Sequence, residues 1–223
     1  MSLAKDQTVG DIATREPLAT RVFARHSIDY CCGGGRPLTE ACEARGVDVD
    51  VVMNEIDEEL SRSEGSQVNW NEESMQALID HIIVVYHRPL QEELPRLEAM
   101  AQKVLSVHGD KDPERFGKLA KAVSMLRSEL EEHMMKEEQI LFPMILAGQG
   151  YMAEGPISVM NTEHEQAGDA LRTLRKLTDD YQPAAEACNT WRSLWYGLGT
   201  VEEEIHRHIH LENNILFPKA LRS

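Results

Sequence analysis

Two near-identical segments combine ionisable and apolar residues in a pattern that predicts a metal site. The segment "HMMKEEQILFP" begins at His133, and "HIHLENNILFP" begins at His208. In each copy a glutamate follows the histidine by four residues, at Glu137 and Glu212. Side chains four residues apart on a helix lie on one face, about one turn apart, so both can bind the same ion. The repetition predicts two equivalent halves of one site.

The two segments lie in sequences whose apolar residues recur every three or four positions. This period is typical of the buried stripe of a bundle helix. Each histidine and glutamate occupies a stripe position where a core aliphatic residue belongs. A bound cation would offset the free-energy cost of burying a carboxylate there. The predicted stripes are Leu119, Val123, Leu126, Leu130, His133, Glu137, Ile140 and Met144 in one helix, and Leu194, Leu198, Val201, Ile205, His208, Glu212 and Ile215 in the other.

The repeat also predicts one histidine in each of two partner helices. His164 has an apolar residue four positions before it and others three, seven and ten positions after it, and His87 has the same surroundings. His81 lacks this pattern, because Arg88 and Gln91 stand at the last two offsets. The predicted metal ligands are therefore His87, His133, Glu137, His164, His208 and Glu212.

The composition of this ligand set indicates two metal ions. Four imidazoles and two carboxylates are too many ligands for one tetrahedral zinc ion. They suit two ions, each held by two histidines and sharing two bridging carboxylates. Nitrogen and oxygen ligands without thiolate favour iron, then manganese, and leave zinc and cobalt open. We predict two non-haem iron ions per chain, bridged by carboxylates and by an oxo or hydroxo group, with room for a small molecule.

Other polar residues near the repeat have two interpretations each. Glu163, which precedes a predicted ligand, is either a base or proton carrier beside the site or an exposed glutamate. His206 and His210 flank His208, and their alternatives are an i, i+4 pair of their own or a solvated helix face. They lie off the apolar stripe, which favours the solvated face. The Phe-Pro pairs that close both copies predict a helix end or a bend, because proline cannot continue regular helical hydrogen bonding.

A glycine-rich stretch near the amino terminus carries adjacent cysteines. In "DYCCGGGRP", Cys31 and Cys32 precede three glycines that disfavour regular structure. Adjacent cysteines close only a strained ring, so a static disulfide is not expected. Pro37 is expected in the first turn of a helix whose positive end would lower a thiol pKa. The alternative is two small buried residues at a turn, and Cys42 and Cys188 are assigned to packing.

Long helical patterns separated by short loops organise most of the chain. This arrangement favours an antiparallel four-helix bundle. A polar stretch without apolar periodicity precedes the first long helical pattern and indicates a linker before the bundle. The predicted fold is all-α, an antiparallel four-helix bundle with a small helical amino-terminal domain. The helical patterns span about 72–106, 114–147, 156–180 and 184–219, and the predicted division is a domain over 1–60, a linker over 61–71 and the bundle over 72–223.

Composition excludes several classes of partner. The formal charge of -15 argues against general binding to nucleic acid or to an anionic membrane surface. The sequence contains neither a signal peptide nor an apolar stretch of about 20 residues, so a cytoplasmic location is the default expectation. Four cysteines are too few for a disulfide framework, which fits a reducing compartment. The oligomeric state stays open between a monomer and a homodimer.

The order His, His-x3-Glu, His, His-x3-Glu on a bundle resembles the hemerythrin-like di-iron family. Its oxygen carriers have a second histidine four positions after the third-helix histidine, where this chain has Gly168. They also have an aspartate five positions after the fourth-helix histidine, whereas Glu212 follows His208 by four. These differences argue against reversible oxygen carriage. With "DYCCGGG" and "GPISVMNTEH", the repeats are similar to the di-iron iron–sulfur cluster repair proteins over nearly the whole chain.

That resemblance implies a cytoplasmic stress-response protein that repairs iron–sulfur clusters damaged by nitric oxide or peroxide. Its partners would be damaged iron–sulfur proteins and small ligands such as NO or O2. The family's iron ligands fall on the six predicted residues, and its cysteine pair falls on Cys31 and Cys32. Iron donation and reaction with nitric oxide are both compatible with these residues. The alternatives are a non-enzymatic sensor or store of O2, NO or iron, and an enzyme of nitric oxide reductase or oxidase type at the same centre.

Overall fold

The computed structural model describes residues 4–61 and 68–222. These residues are mostly helical, and their β-pairing is limited to an isolated bridge between Thr8 and Pro37. The prediction of an all-α fold is confirmed. None of the helices in the described ranges is both long and apolar enough to cross a membrane. Residues 62–67 of the predicted linker lie outside the described residues.

Four short helices form the amino-terminal part of the chain. Thr8 caps the first of them by accepting the backbone N–H of Asp11 at 3.1 Å, and this satisfies one amide of the first turn. Asp48 accepts the N–H of Asp50 at 2.8 Å where the fourth begins. Their apolar faces enclose a small core around Phe23. The helices are α1 (Val9–Arg15), α2 (Ala19–Arg25), α3 (Leu38–Arg45) and α4 (Val49–Ser61).

Four long helices form the predicted bundle, in which each helix packs against two others around a common core. Three of them contain one π-helical turn each. Helix α5 comprises Met75–Ile82, the π turn Ile83–His87 and Arg88–His108. Helix α6 comprises Pro113–Lys136, the π turn Glu137–Leu141 and Phe142–Leu146. Helix α7 is Glu154–Thr178, and α8 comprises Asn189–Leu211, the π turn Glu212–Leu216 and Phe217–Ala220.

Helix α8 begins later than the sequence pattern predicts. The Arg192 guanidinium donates to carbonyl oxygens of Ala184, Ala185 and Ala187, which holds this segment in a turn rather than a helix. The predicted start near residue 184 is therefore wrong. Cys188 stands at the N-cap position and is exposed, so its assignment to packing is also wrong.

Each π turn lies just before a proline. A proline lacks an N–H and its ring clashes with the carbonyl four residues earlier. A wider turn with a hydrogen bond over five residues, such as Phe142 N–H to Glu137 O, accommodates the ring without ending the helix. The helix end predicted at the Phe-Pro pairs does not occur. The prolines that follow the three π turns are Pro89, Pro143 and Pro218.

The π turn in α6 shifts the buried stripe by one residue. The apolar period predicted that Ile140 and Met144 face the core. Instead, Ile140 is 53% exposed, whereas Leu141 is 1% exposed and Ile145 is fully buried. The prediction for Ile140 and Met144 is wrong because the extra residue of the wider turn rotates everything that follows it.

The amino-terminal part packs closely on the π turn of α8. Gly10 donates its N–H to the carbonyl of Gly34 at 2.7 Å, and the Asn214 amide lies over both. A Cβ on Gly10 would lie 2.6 Å from Asn214 Oδ1, so only glycine permits this approach. His210 is buried here, with Nδ1 3.3 Å from the carbonyl oxygen of Tyr30. The predicted solvated face at His210 is wrong because the amino-terminal part covers it.

Candidate metal centre

The six predicted ligands meet inside the bundle. Helices α5 and α7 contribute one histidine each, and α6 and α8 contribute one histidine and one glutamate each. All six side chains are buried, with at most 3% exposed. Their nitrogen and oxygen atoms form two groups, and within each group they lie within 4.8 Å of one another. The His87 group contains His87, Glu137, His208 and Glu212, and the His133 group contains His133, Glu137, His164 and Glu212.

Each group draws its two histidines from different halves of the repeat. Nε2 of His87 lies 3.1 Å from Nε2 of His208, and Nε2 of His133 lies 3.1 Å from Nε2 of His164. The inward nitrogens of each pair are therefore close enough to bind one ion. One copy of the sequence repeat alone provides neither group.

Glu212 connects the two groups through its two oxygens. Oε1 lies 2.8 Å from Nε2 of His208, and Oε2 lies 3.2 Å from Nε2 of His164. The carboxylate thus faces a histidine of each group. This is the position that the sequence predicts for a bridging ligand.

Glu137 lies on the other side of the histidine cluster. Its Oε2 atom is 3.4 Å from Nε2 of both His87 and His133. Both oxygens of Glu137, and Oε2 of Glu212, are shielded from solvent and have no hydrogen-bond donor among the described residues. A buried carboxylate in this condition needs positive charge beside it. Two divalent cations with nitrogen and oxygen preference fit this donor set.

Three of the four histidines are also held at their outer ring nitrogen, Nδ1. An acceptor at Nδ1 keeps the proton there and leaves the Nε2 lone pair for a cation. Glu163 lies beside the site, which agrees with its interpretation as a base or proton carrier rather than an exposed glutamate. Sequence reasoning missed the other two acceptors, although each directly follows the glutamate of its own repeat. The pairs are His87–Glu138 at 3.0 Å, His133–Glu163 at 2.9 Å and His164–Asn213 at 2.8 Å.

Burial and neighbouring charges act in opposite directions on these groups. Burial lowers the pKa of His164, but Glu212 outweighs this effect and raises it to about 9. Burial raises the pKa of Glu163, but hydrogen bonds from Lys136 and His133 lower it overall. Glu163 is therefore ionised at neutral pH, which is the form that accepts the Nδ1 proton.

A cavity of about 210 Å³ between α6, α7 and α8 reaches the centre. His133, His164 and His208 line it, together with Lys136 and Glu163. One water occupies about 30 Å³ of liquid volume, so the cavity has room for diatomic molecules or several waters. The arrangement gives a small ligand a route to both groups.

The two predicted cysteines lie in a separate cavity of about 270 Å³, where the amino-terminal part meets α7 and α8. Asp29 organises this loop: its Oδ1 accepts the backbone N–H groups of Cys31 and Cys32, each at 3.1 Å. The same oxygen lies 3.3 Å from Sγ of Cys31, and the two sulfurs are 3.9 Å apart. Both thiols are free. His206, half-buried, lines the same cavity, so its predicted solvated position is also wrong.

The two thiols have opposite pKa shifts. The hydrogen bond with Cys32, burial and the Asp29 carboxylate all raise the pKa of Cys31. The hydrogen bond from Cys31 lowers the pKa of Cys32 and outweighs burial. Cys32 is therefore the sulfur that more readily becomes a thiolate. The pairing within the loop, rather than the end of α3, distinguishes the two.

Comparison with known proteins is decisive for the family. A model of the "Hemerythrin HHE cation binding domain" matches residues 78–220, which include all six clustered side chains. The chain belongs to the hemerythrin HHE cation binding family. A second model, described as "Domain of Unknown function (DUF542)", matches residues 5–60, which include the cysteine pair.

Curated relatives resemble this hemerythrin-family chain over nearly its whole length. "Iron-sulfur cluster repair protein YtfE" of Escherichia coli O81 (strain ED1a) is 44% identical over 217 residues, which are 97% of each chain. Proteins of the same name from Escherichia coli O1:K1 / APEC and Escherichia fergusonii are 43% identical over 217 residues, with the same coverage. The resemblance drawn from the sequence motifs is thereby confirmed.

Proposed function

We propose that this chain is a di-iron protein that repairs iron–sulfur clusters damaged by oxidative or nitrosative stress. One observation carries the proposal: two histidine pairs converge on two buried carboxylates, and three of the four carboxylate oxygens have no hydrogen-bond donor within the described ranges. The names of relatives that are 43–44% identical over 97% of the chain support the repair role. The proposed ligands of two non-haem iron ions are His87, His133, Glu137, His164, His208 and Glu212.

Two domains carry out this function in the proposal. Residues 1–60 form the small cysteine-bearing domain, residues 61–71 form the linker, and residues 72–223 form the di-iron bundle. The separate family matches over 5–60 and 78–220 support this division. The separate apolar core of the short helices supports it as well.

The side chains around the centre prepare it for metal binding. Bound ferrous iron supplies exchangeable Fe²⁺ for a damaged cluster and a redox centre for NO or O2. Glu138, Glu163 and Asn213 accept Nδ1 protons, so the inward nitrogens of their histidines are the ones that would bind a cation, with release of any proton they carry. Glu163 contacts Lys136 at 2.7 Å and lines the cavity, which places it to carry protons between solvent and His133.

The cysteine pair has an exchange role in the proposal. Cys32, the better thiolate, takes up iron or a nitrosyl group from a damaged cluster, and Cys31 supports it with its S–H group. The loop is anchored on α8 by Asn214, which directly follows the Asn213 that holds His164. This short chain of contacts supports a functional connection between the thiols and the centre.

Metal analysis and a repair assay test the proposal. The anaerobically reconstituted protein is expected to hold about two irons per chain. His87→Ala is expected to lose iron, whereas His81→Ala keeps it, because His81 packs against Trp70 and belongs to neither group. The loaded protein is then mixed with a nitrosylated cluster enzyme. Recovery of that enzyme's activity no greater than with equimolar free ferrous iron would refute the repair role.

Nitric oxide reduction at the same centre is the second candidate. The cavity that reaches three of the histidines favours it, because its volume admits diatomic ligands. Rapid formation of nitrous oxide from NO by the diferrous protein would support it. Repair without nitrous oxide formation would leave iron donation as the function.

A further inference from the structure

The four histidines of the centre differ at their outer nitrogen. Nδ1 is hydrogen-bonded in three of them, at 2.8–3.0 Å. Nδ1 of His208 is shielded from solvent and has no hydrogen-bond partner among the described residues. Both histidines of the His133 group are therefore hydrogen-bonded at Nδ1, whereas in the His87 group only His87 is.

The sequence repeat explains where the missing acceptor belongs. His133 is held by Glu163, the residue just before the α7 ligand. The equivalent residue for His208 is Tyr86, just before the α5 ligand. Its ring stacks on the His208 ring, with centroids 5.8 Å apart and planes 10° apart. A carboxylate acceptor in one half is thus replaced by an aromatic ring in the other.

This difference has a direct consequence for metal affinity. An acceptor at the outer nitrogen raises the basicity of a ligand histidine and fixes its orientation. Loss of such a partner typically weakens metal binding about 10- to 100-fold. The His133 group should therefore hold a cation more tightly than the His87 group.

We propose that the two metal sites are unequal, and that His87 and His208 release their ion first. The inference rests on the proposed di-iron function. It identifies the His87 group as the site that supplies iron for repair. The ion leaves as Fe²⁺ by ligand exchange, without electron transfer. The cavity between α6, α7 and α8 is lined by His208 and by both histidines of the His133 group, so the order of release rests on the contacts at the outer nitrogens and not on access.

Release kinetics test this inference without any measurement of repair. The diferrous protein is mixed anaerobically with an excess of a chromogenic ferrous chelator. We expect one equivalent of iron to leave about 10- to 100-fold faster than the other. Loss of both equivalents at one rate would overturn the inference.

Substitutions on the two sides assign the phases. Tyr86→Glu supplies a carboxylate behind His208 and is expected to slow the fast phase alone, whereas Tyr86→Phe keeps the ring and leaves it unchanged. Glu163→Leu removes the acceptor of His133 and is expected to accelerate the slow phase alone. Glu154→Leu, an exposed glutamate at the start of α7, is the matched control with unchanged phases. The opposite assignment, with Glu163→Leu accelerating only the fast phase, would refute the proposal.

Cobalt(II) titration separates this inference from the proposed function. Two inequivalent binding steps in the optical spectrum, merged by Tyr86→Glu, would support unequal sites even if the protein fails to repair clusters. Two equal steps in a protein that does repair clusters would refute unequal sites and leave the proposed function intact.

Discussion

Asn214 donates from Nδ2 to the carbonyl oxygen of Cys31 at 3.3 Å and so joins the cysteine loop to α8. The same π turn carries Glu212 of the candidate metal centre, and Asn213 between them accepts a hydrogen bond from His164. In the other copy of the repeat, Gln139 replaces Asn214 and is exposed. The two copies therefore diverge where one of them accommodates the amino-terminal part.

Gly10→Ala should loosen this docking. The new Cβ would lie 2.6 Å from Oδ1 of Asn214, so the Asn214 amide must turn aside and give up its hydrogen bond to the carbonyl oxygen of Cys31. Cys31, 5% exposed in the docked loop, should then be alkylated faster by at least about tenfold, equivalent to about 1.4 kcal/mol of lost docking free energy. Mass spectrometry of iodoacetamide-treated protein measures the rate. Gly35→Ala is the matched control, because a Cβ there meets no atom within 4 Å; equal rates in both variants would contradict the docking.

Glu137→Leu should abolish iron binding at one or both of the two groups. It should leave the metal-free fold intact. Its carboxylate is fully buried and receives no hydrogen bond within the described part of the chain. Removal of a buried carboxylate that receives no hydrogen bond also removes the cost of its desolvation, so the metal-free variant should have a free energy of unfolding no lower than that of the parent protein. Urea unfolding in the presence of a chelator measures the free energy, and metal analysis measures the iron. Glu114→Leu, at an exposed helix start, should keep the iron; full loading of the Glu137 variant would show that Glu137 is not a ligand.

Cys32 should react with alkylating agents at lower pH than Cys31. Its pKa is lowered because Cys31 donates a hydrogen bond to it, while burial, Asp29 and Glu165 act against this. A lowered thiol pKa means that the thiolate is already present below the pH at which an ordinary thiol ionises. Cys31→Ala removes the donor and should move the pH profile of Cys32 alkylation upward. Cys31→Ser keeps an O–H donor and should move it less, and identical profiles in both variants would exclude the hydrogen bond as the cause.

The six clustered side chains of the candidate metal centre are predictable from sequence because the chain repeats itself. A single His-x3-Glu motif occurs on many helix surfaces. Two copies at core positions of apolar stripes indicate a buried binding site. The register of the repeat then selected His87 over His81, and the structure brings His87 to the centre. Asn213 and Glu138 occupy equivalent positions in the two copies, directly after each glutamate, so the repeat also identifies them as candidate partners of the histidines.

The contacts between the domains were not predictable in the same way. Helical periodicity assigned His210 to a solvated face because it considers one helix at a time. The face is covered by Tyr30, about 180 residues earlier in the sequence, and no local pattern encodes a contact of that range. His210 and Asn214 differ from the residues at the same positions in the first copy. This difference was the available sequence signal for a contact of α8 with the amino-terminal part.

The π turn in α6 makes a prediction that an unbroken α-helix does not. Leu141 is 1% exposed and Ile140 is 53% exposed, because the wider turn shifts the register by one residue before Pro143. Leu141→Ala should therefore lower the free energy of unfolding by about 2–5 kcal/mol, as for other buried leucines. Ile140→Ala should change it by about 0.5 kcal/mol or less, as at other surface positions.

Chemical denaturation of the two variants compares these adjacent residues directly. A regular α-helix continued from the stripe of Leu130 and His133 would bury Ile140 and expose Leu141, which reverses the ranking. The reversed order would show that the helix is not widened before Pro143. The expected order would place the extra residue between Glu137 and Leu141, in the turn that begins with the proposed bridging carboxylate.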